Sequence, residues 1–308
     1  MTRSGQHATA GRTPAAIHDL GYKRYLGTRR PQSTRWRVLV GNAVSTSWRG
    51  WWRMKLWVMS CVMTTGIFGV LIYVSRDKRM EELVRRGLTM SWADVLVPMS
   101  LRVYPWLAFI LAATTAAGAV ARDMRAGAFE FYFSRPVRPV DYLLGKVVGF
   151  TLVLSVALLA GPLVLSLFRV GLSRDLDEVL PALALVPRMV LIGVAGSVAH
   201  ALVALAFSSL SPRPLITTSI WVAFYLLFAG IAEGLARAMD APDLSALSLP
   251  RAVEGFAFGL YQIKVPGLNH ITPSLAASYT ALLAYSALGL IVLHLRIRQA
   301  ERAGLGGG

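Results

Sequence analysis

The sequence predicts an all-α polytopic membrane protein with six transmembrane helices, an N-terminal interfacial elbow helix and a short outer re-entrant or cap segment. Three observations carry this. Hydrophobic residues make up 55% of the 308 and charged residues only 16%, against roughly 25% charged in a soluble domain. The apolar residues fall in blocks of about 20, the length that crosses ~30 Å of hydrocarbon as a helix, and lipid offers no partner to an unpaired backbone group. The charges are also lopsided. With the N-terminus placed in the cytoplasm, 20 of the 32 Lys and Arg fall inside and 12 outside, whereas 5 of the 16 acids fall inside and 11 outside. This is the positive-inside bias that orients membrane proteins, so both termini are expected in the cytoplasm and the chain in a cell (plasma or inner) membrane. Loop 76–102, with six basic residues outside, runs against the trend. The net charge of +16 therefore points to membrane orientation and lipid contact, not to nucleic acid.

Taken in order, residues 1–32 are rich in Gly, Thr, Ser, Arg and Pro and form a basic, partly disordered cytoplasmic tail. Within it Tyr22 and Tyr25 flank Lys23 and Arg24, which suits either anionic lipid or an ordered contact. From Ser33 to residue 55, Trp36, Val40, Val44, Trp48 and Trp51 recur at helical spacing, with Asn42, Ser45, Arg49 and Arg53 opposite. That pattern describes an amphipathic helix lying in the interface. The six spans are expected within 56–295, at 56–75, 99–121, 147–168, 189–210, 215–232 and 274–295; the fifth is the shortest of the later ones and runs into Glu233. Between the last two lies the outer segment 237–273, where Pro250 opens a helix to Leu260 too short to cross a bilayer. Residues 296–308 form a cytoplasmic tail. Cys61 is the lone cysteine, which excludes a disulfide within one chain. No secretory signal is visible, since about 55 mostly polar residues precede the first apolar run.

Inside the spans, Thr114, Thr115 and His200 are candidates for a substrate pathway. An ionisable residue at membrane depth is a functional candidate by default. Yet Gly193, Ser197, His200, Ala204 and Ser208 share one helical face, the small-residue pattern of close helix packing, and the same holds around Thr114, Thr115 and Gly118. Metal binding is not expected, because His200 has no second ligand at matching spacing.

Catalytic constellations fail. Glu81-Glu82 with Arg86 resembles the EExxxR signature of CAAX-type intramembrane proteases, but that family's F-x-x-x-H is missing. Gly196, Pro266 and Leu290 stand four residues before His200, His270 and His294. No phosphate loop exists either. Gly145-Lys146 is followed by Val147, and Val140 occupies the place of the first glycine. No catalytic residue is expected in this chain.

The most informative stretch is 122–146, the long polar break between the second and third spans. It runs from Arg122 and Asp123 through a turn at Gly127 to the aromatic run Phe129-Glu130-Phe131-Tyr132-Phe133. Ser134-Arg135-Pro136 follows, then re-entry at Asp141–Lys146. Aromatic anchors offer buried area at low entropy, and Glu130 and Arg135 would fix orientation against a soluble partner. The bland alternative is an amphipathic loop resting on lipid headgroups. The segment resembles the cytoplasmic loop of type-2 ABC exporter permeases. Arg125, Gly127, Glu130, Ser134, Pro136, Val137, Arg138 and Leu144-Gly145-Lys146 carry the resemblance, and Phe131-Tyr132-Phe133 departs from it where aliphatic residues are more usual.

That resemblance implies a permease subunit driven by a separate nucleotide-binding ATPase, which would bind ATP and Mg, and a second permease copy or paralogue. It also implies that Phe129, Glu130, Phe131, Tyr132, Ser134, Arg135, Pro136 and Arg138 couple the two subunits. The alternative is a membrane scaffold that passes ATPase-driven conformational change to an extracytoplasmic partner without transport.

Overall fold

The computed structural model describes residues 34–75, 92–133, 138–263 and 272–305. The tail at 1–32, the Glu81–Arg86 stretch and Ser134, Arg135 and Pro136 lie outside the described residues. Among the described residues every regular element is helical and no strand occurs. In chain order they are α1 (Arg35–Arg49), α2 (Trp51–Val74), α3 (Trp92–Met99), α4 (Tyr104–Thr114), α5 (Ala119–Arg125) and α6 (Ala128–Phe133). After these come α7 (Pro139–Ser155), α8 (Gly161–Gly171), α9 (Leu176–Ser208), α10 (Pro214–Ala238), α11 (Leu249–Tyr261) and α12 (Leu275–Leu305).

Among the described residues, six stretches are long and apolar enough to cross a membrane: Met54–Val74, Asp94–Arg125, Pro139–Gly171, Leu176–Ser208, Pro214–Ala238 and Leu275–Arg302. They overlap the six apolar blocks of the sequence. The fourth is longer than its apolar block, because α9 continues across Pro187 and Arg188 to Leu176. Packing sustains it there. Ala182 is buried and Tyr261 of α11 donates to the Leu185 carbonyl at 3.0 Å. For reference, the end of the bundle holding Gly127 and loop 209–213 is called proximal, and the end holding 172–175 and α11 distal.

Two spans are not continuous α-helices. The second passes from α3 through a 3₁₀ turn (Ser100–Arg102) to α4, unwinds over Thr115–Gly118 and resumes as α5. Its freed backbone groups are met from nearby. Arg122 Nη2 donates to the Thr115 carbonyl at 2.9 Å, and Ser208 Oγ of α9 accepts the N–H groups of Val120 (2.9 Å) and Ala121 (3.2 Å). Unwound backbone at membrane depth is tolerated only where protein satisfies it in this way. The third span carries a π turn at Val156–Ala160 between α7 and α8. Gly193 of α9 gives that turn room, since a Cβ there would lie 2.8 Å from the Leu158 carbonyl. The small-residue face of α9 is buried along its length, with Ser197, His200, Ala204 and Ser208 all inaccessible.

Helix α1 packs on α7 through the glycine pair Gly145 and Gly149. A Cβ at Gly145 would overlap Leu39, and one at Gly149 would come within 2.6 Å of the Ala43 side chain. The buried line of α1 is therefore Leu39 and Ala43, with Trp36, Val40 and Val44 half-buried beside it and Trp48 exposed. The tryptophan stripe of the sequence is offset from this line, because small side chains dock where glycines admit them. The chain breaks direction at Gly50, and Trp51 begins α2.

The distal end is closed by a 3₁₀ turn (Pro242–Leu247) and α11, a helix too short to span and buried on nearly every side.

Candidate functional site

The proximal end gathers most of the residues singled out by the sequence. Gly127, at φ +64°, supplies the left-handed turn after α5 that an L side chain would resist, and α6 follows at once. Phe129 and Tyr132 are one helical turn apart and face inward onto Tyr142 of α7, with ring centroids 5.2 and 5.7 Å away. Phe129 is buried, so it seats α6 on the chain itself, and Glu130 is exposed. Phe131 lies in the same helix. Arg138 is exposed at the start of α7, where its backbone N–H donates to Asp141 Oδ2 at 3.2 Å. Burial raises the Tyr132 phenol above its ordinary value, and the negative charge of Asp123 adds to the shift.

A clamp that sequence reasoning passed over lies under α6. Lys146 Nζ meets Asp123 Oδ2 at 2.7 Å, and the Tyr142 hydroxyl donates to the same oxygen at 2.7 Å. The ammonium also lies 5.5 Å from the Tyr142 ring centroid. In the sequence Asp123 and Tyr142 stood only as the exit and re-entry of the segment, and Lys146 only as the end of its motif. A lysine within a helix entering the membrane, opposite an aspartate at the exit of the preceding one, was the available signal.

Helix α6 also lies against α12. That helix reaches loop 209–213 as well, where Arg296 donates from Nε to the Ser209 carbonyl (3.1 Å) and from Nη2 to the Leu210 carbonyl (2.8 Å). One helix thus braces both proximal connections.

The other candidates separate. Thr114 and Thr115 line a cavity of about 220 Å³ between α1, α2, α4 and α7. His200 is not among its lining residues. Its Nδ1 lies 2.8 Å from the Gly196 carbonyl, which makes this nitrogen the donor in the neutral ring, and Nε2 lies 3.2 Å from the Tyr225 hydroxyl. That hydroxyl is also 2.9 Å from the Pro105 carbonyl, so its single proton serves one neighbour at a time. Phe109 stacks on Tyr225 at 4.3 Å, and Trp221 Nε1 donates to the Phe109 carbonyl at 3.1 Å. His200 is a packed, hydrogen-bonded residue of an aromatic core. Among the described residues, no group of three or more His, Cys, Asp or Glu is placed to hold a metal ion.

The distal end carries an ionic chain whose members nothing in the order of residues connects. Glu254 of α11, 4% exposed in its side chain, meets Arg102 at 2.5 Å and Arg251 at 2.7 Å. Arg251 also meets Glu233 of α10 at 2.8 Å. Nearby, Arg169 pairs with Asp94 at 2.8 Å. Burial pushes the Tyr261 phenol up to about 12.

The part of the chain that includes α6 and its seat also matches a known family. The family model described as ABC-2 family transporter protein covers residues 81–251, more than half of the 308. The chain belongs to the ABC-2 transporter family. No curated protein matches it. As an ABC-2 member the chain is a membrane-embedded permease subunit of an ABC transporter, a membrane component and not itself the catalytic one. Membership implies an ABC ATPase as partner and, as is usual for the family, a dimeric assembly.

Proposed function

We propose that this ABC-2 permease works as an exporter, coupled through α6 to a nucleotide-binding subunit that carries the ATP and Mg, with its termini and its proximal end in the cytoplasm. One observation supports the reading above the others. Helix α6 is a short element fixed from two directions, by Phe129 and Tyr132 on Tyr142 and by contact with α12, while Glu130 points outward. A stiffly seated helix with an exposed acid is what a partner needs in order to push. A loop resting on lipid needs neither the seat nor the clamp beneath it. Glu130 and Arg138 are the contact residues on this reading, and Phe129 with Tyr132 is the seat. Ser134, Arg135 and Pro136 continue the same segment.

The test is Glu130→Ala in the assembled complex. Removing one side of a desolvated charged contact costs about 2–5 kcal/mol. The variant is expected to remain in the membrane and to lose transport-linked stimulation of ATP hydrolysis. Full stimulation and full transport in Glu130→Ala would place the coupling contact elsewhere.

Sidedness has its own check. In a Cys61→Ala background, single cysteines at Ser4 and at Met239, which is exposed at the end of α10, are expected to label from opposite faces of the membrane. Labelling of both from one face would invert or miscount a span.

A further inference from the structure

We propose that the cavity between α1, α2, α4 and α7 is a binding site for a phosphoglycerol group, the headgroup of an anionic phospholipid. This inference does not depend on the ATPase reading. The polar lining of the cavity is of two chemical kinds. Arg122 brings a permanent positive charge, and among the described residues no carboxylate lines the space. With it stand four hydroxyl-bearing residues, Thr46 and Ser47 on α1 and Thr114 and Thr115 at the end of α4.

Each hydroxyl donates within its own helix. Thr46 donates to Asn42 Oδ1 (3.4 Å) and Ser47 to the Ala43 carbonyl (2.8 Å). Thr114 and Thr115 both donate to the Leu111 carbonyl, at 3.0 and 2.6 Å. With their protons committed, these oxygens offer lone pairs to the cavity. A ligand that satisfies both kinds of group carries a negative charge for the guanidinium and hydroxyl donors for the lone pairs. A phosphate ester with free glycerol hydroxyls does both. Phosphocholine has no donor and brings a cation towards Arg122.

The rest of the lining is apolar, from Met54, Trp57 and Phe150, and suits the first carbons of an acyl chain. The surroundings also point to a lipid source. Val38, Trp48 and Trp52 are exposed on α1 and the start of α2, and Lys55 Nζ lies 5.5 Å from the Trp52 ring. Exposed tryptophans with neighbouring basic residues mark the headgroup level of a bilayer.

The test uses the purified full chain with phosphatidylglycerol, phosphatidylcholine or free sn-glycerol 3-phosphate. Bound ligand is counted by native mass spectrometry and thermal unfolding is followed in parallel. Phosphatidylglycerol is expected to be retained and to raise the unfolding midpoint, and phosphatidylcholine to do neither. Arg122→Gln should weaken retention about tenfold, the order expected of one charge-assisted hydrogen bond. Because Arg122 also caps the Thr115 carbonyl, Ser47→Leu is the second variant. It fills the cavity without touching the guanidinium and should lower retention comparably. Binding of free glycerol 3-phosphate but not of the lipid would overturn the membrane source. Retention unchanged in both variants, or phosphatidylcholine held as tightly, would overturn the site.

Discussion

Asp123→Ala is expected to be among the most damaging single substitutions in this chain, lowering stability by about 3–5 kcal/mol, as removal of one member of a buried ion pair does. Lys146 is only 6% exposed and Asp123 19%, and the carboxylate oxygen that meets the ammonium also receives the Tyr142 hydroxyl. Truncation would leave a buried cation and an unpaired phenol together beneath α6. The double variant Asp123→Ala/Lys146→Met should recover most of the loss, because replacing both ends of a buried pair by apolar groups is often nearly neutral. Thermal unfolding of the four members of the cycle in detergent measures this. If the double variant were no more stable than Asp123→Ala alone, the ion pair would not be what holds the two spans together.

Glu254→Ala should act as strongly at the other end. It would leave Arg102 and Arg251, each partly buried, without the carboxylate they share. Burial alone would lower the pKa of Arg251, but its bonds and charge contacts with Glu233 and Glu254 outweigh that and raise it. An arginine side chain stays charged at any working pH with or without Glu254, so the repulsion cannot be relieved by loss of a proton. A cost of about 3–5 kcal/mol is expected, appearing as faster hydrogen exchange across α11. Glu254→Gln, which keeps an acceptor, should do less. Native exchange rates along Leu249–Tyr261 in Glu254→Ala would show that the chain of charges does not fasten this helix.

The spans were legible because long blocks of Leu, Val and Ala have one stable arrangement in lipid, whatever surrounds them. The interruptions were not. Thr115–Gly118 sits inside an apolar run with nothing local to unwind it, and the groups that make the break tolerable, Arg122 and above all Ser208, come from outside the run. The same reason hid the pairing of Arg102 with Glu254, which lie 152 positions apart. Helix α1 was predicted from its tryptophans, but its contact line at Leu39 and Ala43 follows from Gly145 and Gly149 on another helix. In the segment 122–146 the order of residues was informative and their direction was not. Composition marked Phe129 and Glu130 alike, and only the position of Tyr142 turns one inward and leaves the other outside.

The seal on the broken second span has a mechanical consequence. Helices α5 and α6 form an arm beyond the joint at Thr115–Gly118, but the N–H groups at the root of that arm are held by Ser208, on the fourth span. The arm cannot swing alone without stripping two backbone donors of their acceptor. On the proposed coupling, a thrust applied at Glu130 would therefore not be confined to the second span. It would also load the fourth span through Ser208 and the third through Asp123 and Lys146.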